Sequence, residues 1–223
     1  MTKIVADISM SLDGYIAGPK PTLKEPLGHG GEGLHEWVIK LAAWRKPHGL
    51  LGGETGPDND IMKESSANIG AVIMGRRMFS NGDGPWESDP NADGWWGDTP
   101  PFHVPVYILT KHNRETVTKK GGTSFVFVTD GIESALSQAK KTAGNKNISI
   151  AGGANVIQQF IKAGLLDELQ IHMVPILLGG GTRLLDNLGD TKLEKIRVID
   201  SPFVTHIKFR IEREPVEDSK TTT

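Results

Sequence analysis

Short apolar runs rich in β-branched residues alternate along this chain with stretches whose apolar positions recur at helical spacing. The runs at 3–9, 71–74, 104–109, 125–128, 147–151 and 168–178 read as strands, and two more, 193–200 and 204–213, close the pattern. Helical periodicity covers 33–45, 58–68, 132–143 and 154–163. In the last of these, Val156, Ile157, Phe160 and Ile161 fall on one side while Gln158, Gln159 and Lys162 face away. Strands that are apolar on both faces, such as 71–74 and 104–109, imply a sheet covered on two sides by helices. The final two strands follow one another across Ser201-Pro202-Phe203 with no helix between them, which predicts an antiparallel hairpin and hence a mixed sheet.

Two glycine- and proline-rich inserts, 18–35 and 81–103, interrupt this alternation, and neither is long enough for a domain of its own. The second carries Trp86, Trp95, Trp96 and Phe102 on a polar background. Aromatic side chains on a loop must cover something; a ligand lid, packing onto the adjacent sheet and a subunit contact all fit. The expected organisation is one domain over 1–213 followed by a polar, aperiodic and disordered tail, 214–223.

Composition narrows the function. With 25 basic and 27 acidic residues the formal net charge is −2, so no chain-wide field favours nucleic acid or an anionic membrane. No apolar run approaches the roughly 18 residues of a membrane span, and Asp7 interrupts the only apolar stretch near the start, so a cytoplasmic protein is expected. The absence of cysteine excludes a disulfide framework, thiol catalysis and Cys-based metal sites. The seven histidines show no ligand spacing, so no metal is expected. Glycine stands out, at 27 of 223 residues, about 12% against a usual level near 7%. Many tight turns or close backbone approaches are therefore needed.

Several glycines sit where strands end. The 28–33 segment spells GxGxxG, but three prolines and no strand precede it, so it reads as a loop and not as a dinucleotide turn. By contrast, strand 147–151 runs into Gly152-Gly153 and then Ala154-Asn155 at the start of an amphipathic helix. A helix start leaves amide donors free and carries partial positive charge, which suits a pyrophosphate, although an unliganded strand-helix turn has the same letters. Strand 71–74 ends at Gly75-Arg76-Arg77-Met78, where guanidinium forks suit phosphate oxygens or solvent equally well. Strand 104–109 ends at Thr110-Lys111. Ligands of open α/β sheets collect at such carboxyl edges, and three edges offering anion donors favour a dinucleotide. Asp13-Gly14 is a turn signal, and the triple glycine 179–181 either holds a phosphate or reverses the chain.

Taken in order, 11–17 (SLDGYIA), 72–77 (VIMGRR), 105–110 (PVYILT), 151–155 (AGGAN) and 175–181 (PILLGGG) resemble the dihydrofolate-reductase-like superfamily. They resemble most closely the reductase domain of bacterial riboflavin-biosynthesis deaminase/reductases and its stand-alone relatives. That resemblance implies a three-layer α/β fold with a mainly parallel mixed sheet. It also implies hydride transfer from NADPH to a pyrimidine- or pterin-like heterocycle, and a homodimer. Carried over by position, Gly75, Arg76, Arg77 and Met78 would meet the phosphates, and Thr110 and Lys111 the adenosine 2′-phosphate. Gly152, Gly153, Ala154, Asn155 and Val156 would supply main-chain donors, with a cis peptide at the glycine pair, and Ser9, Ile16 and Ala17 would line the nicotinamide. Asp60 and Glu64, one turn apart on a helix, are candidate proton donors, each with an ordinary solvated carboxylate as the alternative, and Asp13 is a further candidate catalytic residue with a plain turn as its alternative. Trp86, Trp95, Trp96, Phe102, Gly180 and Gly181 are candidate lid or substrate residues. A true dihydrofolate reductase and a non-catalytic NADPH-binding protein are the rival readings, and an assembly protein with a tryptophan-loop interface is a third.

Overall fold

A computed structural model describes residues 2–212; the tail expected over 214–223 lies outside the described residues. In chain order the strands are β1 (Ile4–Ser11), β2 (Tyr15–Ala17), β3 (Ile69–Gly75), β4 (Pro105–Leu109), β5 (Val117–Thr118) and β6 (Ser124–Val128). They continue with β7 (Asn147–Gly152), β8 (Glu168–Val174), β9 (Thr182–Arg183), β10 (Leu193–Asp200) and β11 (Thr205–Ile211). The helices are α1 (Ala42–Arg45), α2 (Pro57–Ala67), α3 (Arg76–Ser80), α4 (Ile132–Ala143) and α5 (Ala154–Lys162).

Nine strands form one sheet in the order β10-β11-β8-β1-β7-β3-β4-β6-β5. From β8 to β6 the neighbours run parallel, and both edges turn antiparallel, through the β10–β11 hairpin at one side and β5 at the other. The mixed sheet and its closing hairpin are as the pattern predicts. Strand β8 stops at Val174 and not at 178, because Pro175 has no N–H to give to the ladder.

Alternation along the strands divides the core. Ala71 and Ile73 join Ile4, Ala6, Ile148, Ile150, Leu169 and Ile171 beneath α4 and α5, whose Leu136, Ile157 and Phe160 fill the layer. Val72 and Met74, pointing the other way, pack with Phe79, Val106, Ile108, Phe125 and Phe127. A third cluster, Leu34, Trp37, Val38 and Leu41 against Val174 and Val204, caps the same face near the carboxyl end of β8. Helix α2 lies over the strip of sheet between, bonding to Gln170 through Ser65 and to His206 through Asp58.

The helix expected over 33–45 is broken. Only a 3-10 turn (Gly31–Leu34) and the single turn α1 form there. Backbone groups that a continuous helix would need are bonded elsewhere: the Glu54 N–H donates to the Lys40 carbonyl (2.8 Å), the Ala42 N–H to the Glu54 carbonyl (2.9 Å) and the Ala43 N–H to Asn59 Oδ1 (2.8 Å). The GxGxxG segment enters this turn packed against β8's exit loop, and it is neither a dinucleotide turn nor an open loop.

Candidate active site at the carboxyl edge of the sheet

The structure brings the glycine-ended strands together. Strands β3 and β7 are neighbours, Met74 pairs with Gly152, and the Gly152–Gly153 peptide is cis. A Cβ added to Gly75 would stand 3.0 Å from Val156 Cγ2, and one added to Gly152 would meet Met78 Sδ at 3.5 Å and Ile8 Cδ1 at 3.8 Å. At Gly153 the same atom would meet nothing within 4 Å. Gly75, Met78, Gly152 and Val156 therefore form one tight corner, and Gly153 opens from it onto free space. Helix α5 begins immediately beyond. The Val156 and Ile157 amides both point at the Gly153 carbonyl (3.0 and 3.3 Å), whereas those of Ala154 and Asn155 have no carbonyl to reach inside the helix. Its buried apolar face, Val156, Ile157, Phe160 and Ile161, fixes α5 to the sheet, so this end is held rigidly over the edge of β7.

Strand β4 borders the corner on the far side of β3. Gly75 and Leu109 are register partners, so Arg77 and Lys111, each two residues further on, leave neighbouring strand ends, and both are exposed. The Arg77 guanidinium pairs with Asp83 at 2.6 Å on the surface. Thr110 continues the ladder by donating to the Val128 carbonyl (3.1 Å), and its hydroxyl accepts from the His112 amide (3.2 Å). On the other side of β7, Ile16 is buried in the core and Ala17 is half-buried, while Ser9 is buried under Trp37.

Other candidates are employed differently. Arg76 is 6% exposed: its Nε donates to Ser80 Oγ at 2.9 Å, a second nitrogen pairs with Asp89, and its guanidinium lies 3.1 Å from the centre of the Trp86 ring. It fastens the 81–103 insert to α3 and does not offer an open fork to a phosphate. The aromatic residues of that insert pack on the sheet. Trp86 stacks edge-on to Phe127 (4.8 Å) with its N–H on the His112 carbonyl, Trp96 abuts Phe102 (4.9 Å), and Phe102 reaches Phe125. Trp95 touches Trp96 from outside. Packing onto the adjacent sheet is thus the reading the structure selects for Trp86, Trp96 and Phe102, in place of a lid.

Nor do the three candidate carboxylates meet at the corner. Asp13 accepts from Ser11 Oγ (2.6 Å) and from the amides of Leu178 (3.1 Å) and Gly179 (2.7 Å). These donors, the hydroxyl foremost, hold it down to about 2, and it clamps the β1 turn to the β8 exit loop. Asp60 is exposed and paired with Lys63; Glu64 points to Arg197 and Lys208 at the β10–β11 edge. Gly181 is required by chain crossing: a Cβ there, at φ +119°, would collide with the Ala17 carbonyl, while Gly180 lies beside Pro19. Sequence reading passed over the polar strip beneath α2, where Asp58, His206, His172 and Asp7 join end to end. Antiparallel pairing of 168–174 with 205–211 was the signal available, because it sets His172 opposite His206.

A family profile for the RibD C-terminal domain matches residues 2–205. The chain belongs to this family. Among curated relatives, the uncharacterized protein YyaP of Bacillus subtilis (strain 168) is 39% identical over 186 residues, covering 82% of this chain and 79% of that protein. YwjB of the same organism is 37% identical over 68 residues, 30% of this chain and 38% of YwjB. The fold is shared with a Shewanella sp. PV-4 protein assigned provisionally to riboflavin biosynthesis (TM-score 0.60, 22% identity, 96% of this chain and all of the other). It is shared also with Acinetobacter baumannii RibD (0.58, 16%, 96% of this chain and 59% of that one). The dihydrofolate reductase of Enterococcus faecalis, solved with NADP(H), superposes at 0.53 with 16% identity over 95% of this chain and 97% of the reductase. No helix of the described residues is long and apolar enough to cross a membrane. No group of three or more potential ligands among them could hold a metal ion.

Proposed function

We propose that this RibD-like reductase, one domain over 1–213, uses NADPH to reduce a ribosylamino-pyrimidinone or a closely similar heterocycle. The observation that carries the cofactor reading is the corner itself: two adjacent strands ending in glycine, with Gly153 facing empty space at the start of a rigid helix. A side chain at Gly153 would fill that space, and the unpaired amides of Ala154 and Asn155 beside it suit an anion. The residues therefore fit a dinucleotide. Gly75, Met78, Gly152, Gly153 and Val156 would shape the seat of its pyrophosphate, and Ile16 and Ala17 would border the nicotinamide. Arg77 and Lys111, with Thr110 between the strand ends, would meet the 2′-phosphate, in place of the buried Arg76.

When bound, the cofactor supplies the hydride; the chain's own contribution is placement. Rigid anchoring of α5 fixes the amide donors, and the Asp13 clamp holds the β1 turn against the β8 exit loop, bounding the substrate side. The family match favours the riboflavin-type substrate over dihydrofolate. Oxidation of NADPH, followed by its absorbance, should occur with 5-amino-6-(5-phosphoribosylamino)uracil and not with dihydrofolate. Turnover of dihydrofolate alone would reverse the substrate assignment, and tight NADPH binding with no turnover of either would point to a binding protein.

A further inference from the structure

Beneath α2 two buried histidines and two half-buried carboxylates form a line. His172 Nε2 meets an Asp7 carboxylate oxygen, His172 Nδ1 faces His206 Nδ1 at 2.6 Å, and His206 Nε2 is 3.0 Å from Asp58 Oδ1. The two rings are 3% and 2% exposed, and the carboxylates at the ends 26% and 15%, so protons can enter only through those ends.

With both carboxylates ionised, this geometry implies a proton count. An ionised carboxylate only accepts, so each Nε2 must carry a proton toward its aspartate. Two nitrogen lone pairs cannot face one another at 2.6 Å, so one proton, and only one, lies between the Nδ1 atoms. Three N–H groups on two rings make one imidazolium shared by the pair. The surroundings favour that single charge without adding another. Gln170 Nε2 donates to Asp7 (2.8 Å) and Ser65 Oγ (2.9 Å), Arg197 is engaged by Glu64 (2.6 Å) and by Gln170 Oε1 (2.8 Å), and Lys208 is engaged by Glu168 (2.9 Å). Asp7 on β1 and Asp58 on α2 thus contact the pair directly, while Glu64 on α2, Glu168 on β8, Arg197 on β10 and Lys208 on β11 pair among themselves and with Gln170.

Trp37 lies on this pair. Its ring centroid is 4.7 Å from that of His172 and 5.2 Å from that of His206, and its indole N–H donates to Ser9 Oγ at 3.1 Å. Ser9 is the register partner of His172 and lies near the carboxyl end of β1, the strand beside β7 and its glycine corner. An aromatic face beside a shared imidazolium is attractive.

We propose that His172 and His206 are a positioning pair for the reductase reaction: their shared proton locks both rings under Trp37, and Trp37 thereby fixes the Ser9 hydroxyl near the carboxyl end of β1. The inference rests on the reductase reading for its catalytic consequence, but the shared proton does not. A second proton, taken up as pH falls, would set two imidazoliums facing each other and release Trp37. Burial opposes charge on His206 and keeps it below the ordinary imidazole value, against the pull of Asp58, so the charge on the pair depends on the two carboxylates at the ends of the line.

Two measurements on the full chain test this. In protein labelled with ¹⁵N-histidine, the two Nε2 atoms should be protonated at neutral pH and the two Nδ1 atoms should share one proton; two bare or two fully protonated Nδ1 atoms would overturn the pairing whatever the enzyme does. In turnover of 5-amino-6-(5-phosphoribosylamino)uracil, His206→Phe should lower kcat by up to about 10²-fold, the order that a 1 Å misplacement costs. Its KM for NADPH should be unchanged. His206→Asn, which restores a polar atom opposite His172 Nδ1, should recover most of kcat and lose the acid limb of the wild-type pH profile. Wild-type kcat and an unaltered acid limb in both variants would refute the positioning role. A wild-type protein inactive on every ring substrate, with the shared proton present, would instead refute the reductase reading.

Discussion

Replacing Asp89 by alanine removes the partner of a buried guanidinium. The Asp89 side chain is 2% exposed and bonds to Arg76, to Ser80 Oγ at 2.7 Å and to the Asn91 amide at 2.9 Å, so its loss leaves Arg76 charged, buried and unpaired between α3 and Trp86. Breaking one side of a buried pair costs about 3–5 kcal/mol. For a chain of this size each kcal/mol lowers Tm by about 2–4 °C, so a fall of roughly 6–20 °C is expected by differential scanning calorimetry. The pH dependence has a definite sign. Although burial opposes it, hydrogen bonds from Ser80, Asn91 and Arg76 hold the Asp89 carboxyl below its ordinary 3.8. A depressed carboxyl contributes stability that is complete above the ordinary value and is lost as pH falls through the folded one. The gap between wild type and Asp89→Ala should therefore be constant near neutrality and narrow below about pH 4. A Tm within 2 °C of wild type, or a gap that ignores acid, would refute the view that Arg76 fastens the insert to α3 and would return it to the pool of phosphate ligands.

Three further expectations follow from the same geometry. Asp13→Ala should lower the urea midpoint at neutral pH, and its gap to wild type should close as pH falls from 3.8 toward about 2, where wild type loses the clamp; unfolding curves across that range check this. Arg77→Ala combined with Lys111→Ala should weaken NADPH by about 10²-fold or more, since each charge-assisted contact is worth about 1.5–3 kcal/mol, and leave NADH nearly unchanged; equal losses in fluorescence titration would remove both from the 2′-phosphate. Phe160→Ala, at a fully buried site between α5 and the sheet, should cost about 3–5 kcal/mol in denaturant unfolding. A cost under 1 kcal/mol would mean that α5 is not anchored as described.

What sequence showed and what it hid divide along a physical line. Strands β3, β4, β7 and the β10–β11 hairpin were legible because their apolar runs are bounded by Gly75, by Gly152-Gly153 and by a proline turn, signals local to the chain. So was α5, from the spacing of Val156, Ile157, Phe160 and Ile161. The break within 33–45 was not, because its cause is distant: the partners of Lys40, Ala42 and Ala43 are Glu54 and Asn59. Arg76 reads as a free cation until Asp89, thirteen residues on, is seen to fold back under Trp86. His172 and His206 offer no metal spacing, and only the antiparallel register of β8 and β11 makes them neighbours. Asp60 and Glu64 have helical spacing that is real but faces Lys63, Arg197 and Lys208, and the carboxylate of that helix that reaches the buried histidines is Asp58.

Calorimetric titration of NADPH into wild type and Gly153→Val is the most direct test of where the cofactor lies. The added side chain meets no protein atom near its Cβ, and the backbone there has φ −75°, so the variant should keep its Tm. Saturable heat in wild type that vanishes in the folded variant is the expected result. Equal affinity in both proteins, or no heat in either, would place the dinucleotide elsewhere or nowhere on this chain.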